Sequence, residues 1–305
     1  MRTVVFAGAA CALALLTPAF GAAPPASFEV GALTVEQTEG KGPPLIFIPG
    51  LASGSWTWKA EAKRLSAGHA IYLVTVAGFD GRKAVPGTTL DSLSNDLRTL
   101  IESRHLDKPV LVGHSMGGTL AMSFATEHSN LISGVVAVDG LPVFPGTESA
   151  GDRGAFAQRA RAQIENQTPE QFAAYQQTYM KQVGSIDEGK AKTIAELSSR
   201  SDPRAVGDFA AQLLMLDLRP KLGAIKVPVI EISPFNAPDF AAMGVDEAGK
   251  TNYYRMLLGG IERLEVLSVS PARHFVMFDQ PEKFAAALDQ ALAKVYESPA
   301  KPAAK

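Results

Sequence analysis

Val110-Leu111-Val112-Gly113-His114-Ser115-Met116-Gly117-Gly118-Thr119 is the stretch on which the fold turns. A short apolar run ends at Gly113, and an apolar helical pattern runs from Gly118 to His128. Between them stands Gly113-x-Ser115-x-Gly117, a serine with glycine two residues before and two residues after. Strand before and helix after is the context that a G-x-S-x-G nucleophile elbow requires. The chain must reverse sharply there, which places Ser115 in strained backbone geometry. Side chains at positions 113 and 117 would strike the neighbouring strand and helix. The bend pushes the Ser115 hydroxyl into the open at the carboxyl end of the sheet, where open α/β sheets bind ligands. A helix N-terminus beneath it favours developing negative charge.

Further continuous apolar runs lie on both sides of this stretch: Leu45–Ile48, Ala70–Thr75, Val135–Val138, Val227–Ile232 and Leu264–Val269. Runs of that kind mark strands buried on both faces. Two shorter strands are expected around Gly31, at residues 28–30 and 33–37. Helical patterns at 56–65, 90–104, 246–257 and 281–296 separate the runs. The alternation predicts an α/β protein with a mostly parallel, doubly wound sheet of about eight strands and helices on both faces. It breaks between Pro142 and Pro220, where only amphipathic, Gln/Ala-rich helical segments occur. An insertion that long needs a structure or a task of its own. The expected division is a core of residues 23–141 and 221–297, a helical cap of residues 142–220, and a frayed Pro/Ala/Lys-rich tail at 298–305.

Composition sets outer bounds. Of 305 residues 46% are hydrophobic and 20% charged, enough apolar chain for a large core. Lys and Arg number 29 against 31 Asp and Glu, so no basic excess points to nucleic acid. Residues 1–22 differ from the rest: Arg2, an apolar run from Val4 to Leu16, then small residues. They read as a secretory signal peptide, cleaved after Gly21, Ala22 or Ala23. The run is too short to span a bilayer. The expectation is therefore export, to the periplasm or as a secreted protein, with no stable membrane insertion once the leader is removed. Cys11, the only cysteine, leaves with it, so no disulfide or Cys-ligated metal remains. Neither a metal nor another cofactor is expected, since no His-x-x-x-His or equivalent cluster is present.

A serine nucleophile needs a base that is histidine at neutral pH. His69 precedes a strand, His105 and His128 end helices, and His114 adjoins Ser115, where shielding the elbow is its expected role. His274 differs. It lies in Ser270-Pro271-Ala272-Arg273-His274-Phe275, just past the last strand, on the rim expected for Ser115. Nucleophile first and histidine last is also the chain order known for this elbow.

The elbow, the Ile48-Pro49-Gly50-Leu51 loop, the Ala77-Gly78-Phe79-Asp80-Gly81 loop and the ending His274-Phe275-Val276-Met277-Phe278-Asp279-Gln280-Pro281 together resemble the α/β-hydrolases, in family order from about Phe28 to Tyr296. Within them the chain is similar to serine esterases that carry a helical cap between the sixth and seventh core strands. The resemblance implies an acyl-serine route with a small-molecule acyl substrate and no cofactor. It also implies an oxyanion hole made by the backbone N–H groups of Met116 and Leu51. The triad acid has two candidates. The family's usual Gly-x-x-Asp turn after the seventh strand is missing; Asn236 stands near its place and Asp239 follows a few residues later. Asp139, at the end of the sixth strand, is the preferred acid, a position that haloalkane dehalogenases also use. Asp217 is expected to pair locally. Phe144, Phe156, Phe172, Tyr175, Tyr179 and Met180 are expected to roof an apolar pocket, and Trp56 and Trp58 to pack in the core. Amide, lactone or peptide cleavage on the same triad, or a non-catalytic binder of this fold, are the alternatives; oligomeric state stays open.

Overall fold

A computed structural model of the chain describes residues 26–297 except 39, 150 and 152. The leader expected at 1–22 and the tail at 298–305 lie outside the described residues. Eight strands form one sheet: β1 (Ala26–Val30), β2 (Leu33–Gln37), β3 (Leu45–Ile48), β4 (Ile71–Val76), β5 (Val110–His114), β6 (Gly134–Val138), β7 (Val229–Pro234) and β8 (Leu264–Val269). Their spatial order is β1-β2-β4-β3-β5-β6-β7-β8. β1 and β2 form an antiparallel hairpin with a turn at Gly31, and β2 pairs antiparallel with β4. Every pairing from β4 onward is parallel. The mostly parallel eight-stranded sheet expected from the alternation is the one observed.

Helices cover both faces: α1 (Lys59–Leu65), α2 (Leu90–Ser103), α3 (Met116–His128), α4 (Arg153–Glu165), α5 (Pro169–Tyr179), α6 (Glu188–Ser198), α7 (Pro203–Met215), α8 (Ala237–Phe240), α9 (Glu247–Leu257), α10 (Val276–Asp279) and α11 (Pro281–Tyr296). Alternate strand residues serve opposite layers, as the period of two requires. Ile46, Ile48 and Leu111 face α2 and α3 through Leu97 and Phe124. Leu45, Phe47 and Val112 face the layer of Trp58, Phe284 and Leu288. Continuous apolar strands follow from this, since neither face meets water.

Among the described residues between β6 and β7 stand α4 to α7, a 3-10 turn at Arg219–Ala224 and a single bridge between Val143 and Asp217, with no further strand. α4 packs on α7, and α5 on α6. The helix expected at 56–65 comes out shorter. Residues 55–58 form a 3-10 turn ahead of α1, and α5 stops at Tyr179 in a π-helical turn, Met180–Gly184. Strand register defines the strand ends as well: His114 pairs with Val138 and Val138 with Ile232, so Ser115 and Asp139 leave the sheet side by side.

Candidate active site

Ser115 has φ +53° and ψ −119°, a conformation side-chain-bearing residues rarely adopt. Its N–H donates to the Val138 carbonyl at 2.8 Å, and its carbonyl accepts from Thr119 N–H at 3.0 Å. The glycines are required by contact. A Cβ on Gly113 would lie 2.2 Å from the Gly117 carbonyl oxygen, and one on Gly117 would lie 2.3 Å from that of Ile48. The loop after β3 runs along the other side of Ser115, where a Cβ on Gly50 would lie 3.1 Å from Ser115 Cβ. The backbone segments that carry Leu51 and Met116 therefore flank Ser115.

His274 and Asp139 meet. His274 Nδ1 donates to Asp139 Oδ2 at 2.5 Å. Both line one cavity of about 190 Å³ with Ser115. Asp239 is elsewhere occupied: the Arg273 guanidinium grips its two oxygens at 2.6 and 2.8 Å. Asp217 is fastened by Arg153 and Arg219. The two aspartates left open by the sequence thus have different partners, a ring for Asp139 and a guanidinium for Asp239.

Three neighbours of Asp139 were not singled out from the sequence. The Tyr254 hydroxyl donates to Asp139 Oδ1. Lys250, one turn earlier on α9, donates to the Pro234 carbonyl and lies over the Phe240 and Tyr254 rings, 5.2 and 5.3 Å from their centroids. Glu231, wholly buried on β7, accepts the Gly140 N–H at 3.3 Å with Oε1, while its Oε2 has no partner among the described residues. Burial alone would raise the Asp139 carboxyl. The Lys250 charge, the His274 contact and the Tyr254 hydroxyl outweigh it and hold the carboxyl well below the usual range. Glu231 goes the other way: burial and then the Asp139 charge push it well up, favouring its protonated form. The sequence did carry signals for these. An acid inside the apolar run of β7, and a Lys and a Tyr four apart on one helical face, both stand out once Asp139 is the reference point.

His114 is buried under the site, and its Nε2 donates to the His274 carbonyl at 3.0 Å. Burial and the nearby His274 press it down to about 3, so it stays neutral. The helical insertion also holds His274. The Val183 carbonyl accepts from His274 N–H at 3.1 Å and the Gly184 carbonyl from Phe275 N–H at 2.9 Å. Asp279 closes the same junction through the Ser185 hydroxyl, Ile186 N–H and Arg273 N–H.

The expected aromatic roof needs correction. Of its six residues only Phe144 and Tyr179 line the Ser115 cavity. Phe172 and Met180 are consumed in packing, because they join the insertion to the two apolar clusters on either side of the sheet, and Phe156 faces solvent. Trp58 packs in the core as expected, and Trp56 stacks on Phe275. No three His, Cys, Asp or Glu side chains cluster in metal-holding geometry among the described residues.

The profile of the Alpha/beta hydrolase family matches residues 45–287. The sn-1-specific diacylglycerol lipase ABHD11 of Mus musculus is 25% identical over 255 residues, 82% of this chain and 81% of that protein. The protein of the same name from Danio rerio is 34% identical over 114 residues, a match that spans only 36% of its length and 36% of this chain. A soluble epoxide hydrolase from a Corynebacterium species is 27% identical over 116 residues, 38% of this chain and 40% of that protein. Among solved structures, a thermophilic esterase from Thermogutta terrifontis aligns with a TM-score of 0.69 at 21% identity, covering 89% of this chain and 99% of that one. That last likeness is one of fold. The lipase and epoxide hydrolase relatives share hydrolysis, and these matches support that reaction class here.

Proposed function

The chain belongs to the alpha/beta hydrolase family, and from that premise we propose that it is a serine hydrolase cleaving carboxylic esters through an acyl-serine intermediate. The observation that carries the reading is the 2.5 Å contact of His274 Nδ1 with Asp139, in a cavity shared with Ser115. Ionised Asp139 holds the Nδ1–H and leaves Nε2 free to take the Ser115 proton. The Ser115 oxygen attacks the ester carbonyl carbon. The Leu51 and Met116 amides stabilise the tetrahedral oxyanion; losing one such donor costs about 3 kcal/mol. Collapse breaks the ester C–O bond, and the imidazolium returns its proton to the departing alkoxide, releasing alcohol. Water, deprotonated by His274, then attacks the acyl carbon. The second collapse releases the carboxylic acid and restores the Ser115 hydroxyl.

Serine at 115 separates this chain from alkyl-enzyme chemistry, which needs a carboxylate nucleophile there. Glycerol esters are favoured among the substrates, because the mouse relative that matches over most of its length is named a diacylglycerol lipase. Residues 1–22 support export to the periplasm or the medium; the mass of the N-terminus recovered from each fraction tests this. Turnover of p-nitrophenyl butanoate tests the chemistry. Ser115→Ala and His274→Ala should each fall by at least about 10⁴-fold, and a fluorophosphonate probe should label wild type but not Ser115→Ala. Wild-type-like turnover in either variant overturns the assignment, and an unlabelled wild type points to a non-catalytic binder.

A further inference from the structure

The cavity around Ser115, at about 190 Å³, is small. Small-molecule sites commonly span about 300–1,000 Å³. A far larger groove, about 960 Å³, lies behind it between the loop of residues 84–91 and the α4–α7 pair. The two share one residue, Leu216, the C-cap of α7, where the backbone leaves the helix at φ −74° and ψ 135°. The last turns of α7 are a partition. Leu213 and Leu216 face the Ser115 cavity, while Phe209, Gln212 and Met215 face the groove.

The groove is a built feature. At the N-terminal end of α7, Asp202 N–H donates to the Gly78 carbonyl at 2.7 Å and the Ser201 hydroxyl accepts from Asp80 N–H at 3.1 Å. Near its C-terminal end, Gln212 Oε1 accepts from Leu90 N–H at 2.9 Å. Arg161 on α4 and Asp208 on α7 pair at 2.7 Å in the groove wall, whose other charged residues are Asp91, Asp202 and Arg204. The floor is apolar, with Ala77, Leu90 and Phe209 nearly inaccessible. Val85 and Met215 line the groove yet remain 50% and 52% exposed. Large apolar side chains standing in water at a groove that adjoins the Ser115 cavity across Leu216 mark a surface that a ligand covers.

We propose that this groove is an alkyl subsite, taking the far end of a long unbranched acyl chain whose carbonyl sits at Ser115, with Leu216 as the wall the chain passes. The occupant is the substrate's own hydrocarbon, because the groove and the Ser115 cavity adjoin across Leu216, at the end of the partition, and the groove floor of Ala77, Leu90 and Phe209 is apolar. The proposal rests on the esterase reading and extends it to chain length.

The test is the ratio of kcat/KM for p-nitrophenyl decanoate to that for the butanoate, both below the micellar limit. A ratio cancels losses of folded enzyme, and circular dichroism checks each variant. Val85→Asp and Met215→Asp place charge along the alkyl path at exposed positions, and each should lower the ratio about tenfold. Leu216→Ala opens the partition and should raise it. Ratios unmoved in all three variants, while wild type hydrolyses both esters, overturn the subsite and leave the esterase standing; a groove that serves a partner protein gives this result. A wild type that cleaves neither ester defeats the esterase reading, and the subsite falls with it.

Discussion

The elbow at Ser115 and the surroundings of Asp139 occupy the ends of adjacent strands, joined by the Ser115 N–H to Val138 carbonyl bond. They are specified in different ways. The elbow is written in consecutive residues: two glycines admit the backbone of Gly117 and Ile48 within van der Waals contact, and the helix starts at once. The acid is assembled from four elements, with Asp139 after β6, Glu231 on β7, Lys250 and Tyr254 on α9, and His274 after β8. The first region depends on steric exclusion and tolerates no added atom. The second depends on balanced charge and tolerates partial replacement at a graded cost.

That contrast can be broken or sharpened by substitution. The largest effect should come from Asp139→Asn, about 10⁴-fold in kcat, since an amide no longer favours the working tautomer of His274. Asp239→Asn should change kcat less than about threefold, because its carboxylate pairs with the half-buried Arg273 guanidinium and not with His274. Equal losses in the two would dissolve the distinction between them. Next is Gly117→Ala, expected to cost at least about 3 kcal/mol, since its Cβ would overlap the Ile48 carbonyl and backbone cannot step aside. Urea denaturation measures it, and a near-neutral result would show that the elbow is softer than its contacts indicate.

Lys250→Met should act more gently, about tenfold in kcat/KM near neutrality. Removing a cation lets Asp139 bind a proton more readily, so the acid side of the pH profile should move to higher pH. A uniform loss without that displacement would mean Lys250 acts only through the Pro234 carbonyl. Tyr254→Phe should lower kcat a few-fold, as one of several donors to the carboxylate is lost.

The smallest effect on rate belongs to Glu231→Gln, whose effect is on stability. Glu231 keeps its proton in the fold at pH values where the unfolded chain has lost it. Wild-type stability therefore falls as pH rises from about 4.3 toward the folded value, by at most about 1.4 kcal/mol per pH unit from this group. Glutamine still accepts from Gly140 N–H and does not titrate. Its melting temperature should gain on wild type between pH 5 and pH 8. A gap that closes over that range would mean Glu231 is charged in the fold.

Some of this was legible in residue order and some was not. The strands of the parallel sheet showed as unbroken apolar runs because both their faces are covered. His274 showed because it follows the last such run. The choice between Asp139 and Asp239 leaned to Asp139 without being decided: both end up near Arg273 and His274, and only side-chain direction separates a ring partner from a guanidinium partner. The six-residue roof misled for a similar reason. Aromatic residues in an insertion serve packing first, and composition does not say which side of α5 Phe172 occupies.

By itself the sequence determined the sheet, the order of its strands along the chain, the elbow and the histidine, because each follows from local sterics or from burial on both faces. Only the tertiary structure decided which carboxylate meets that histidine, that a wholly buried acid, Glu231, lies beside that carboxylate, and that one helix divides the small Ser115 cavity from a larger groove with an apolar floor. Those are relations between side chains far apart in the chain, fixed by direction and distance in a low-dielectric interior, which no periodicity encodes.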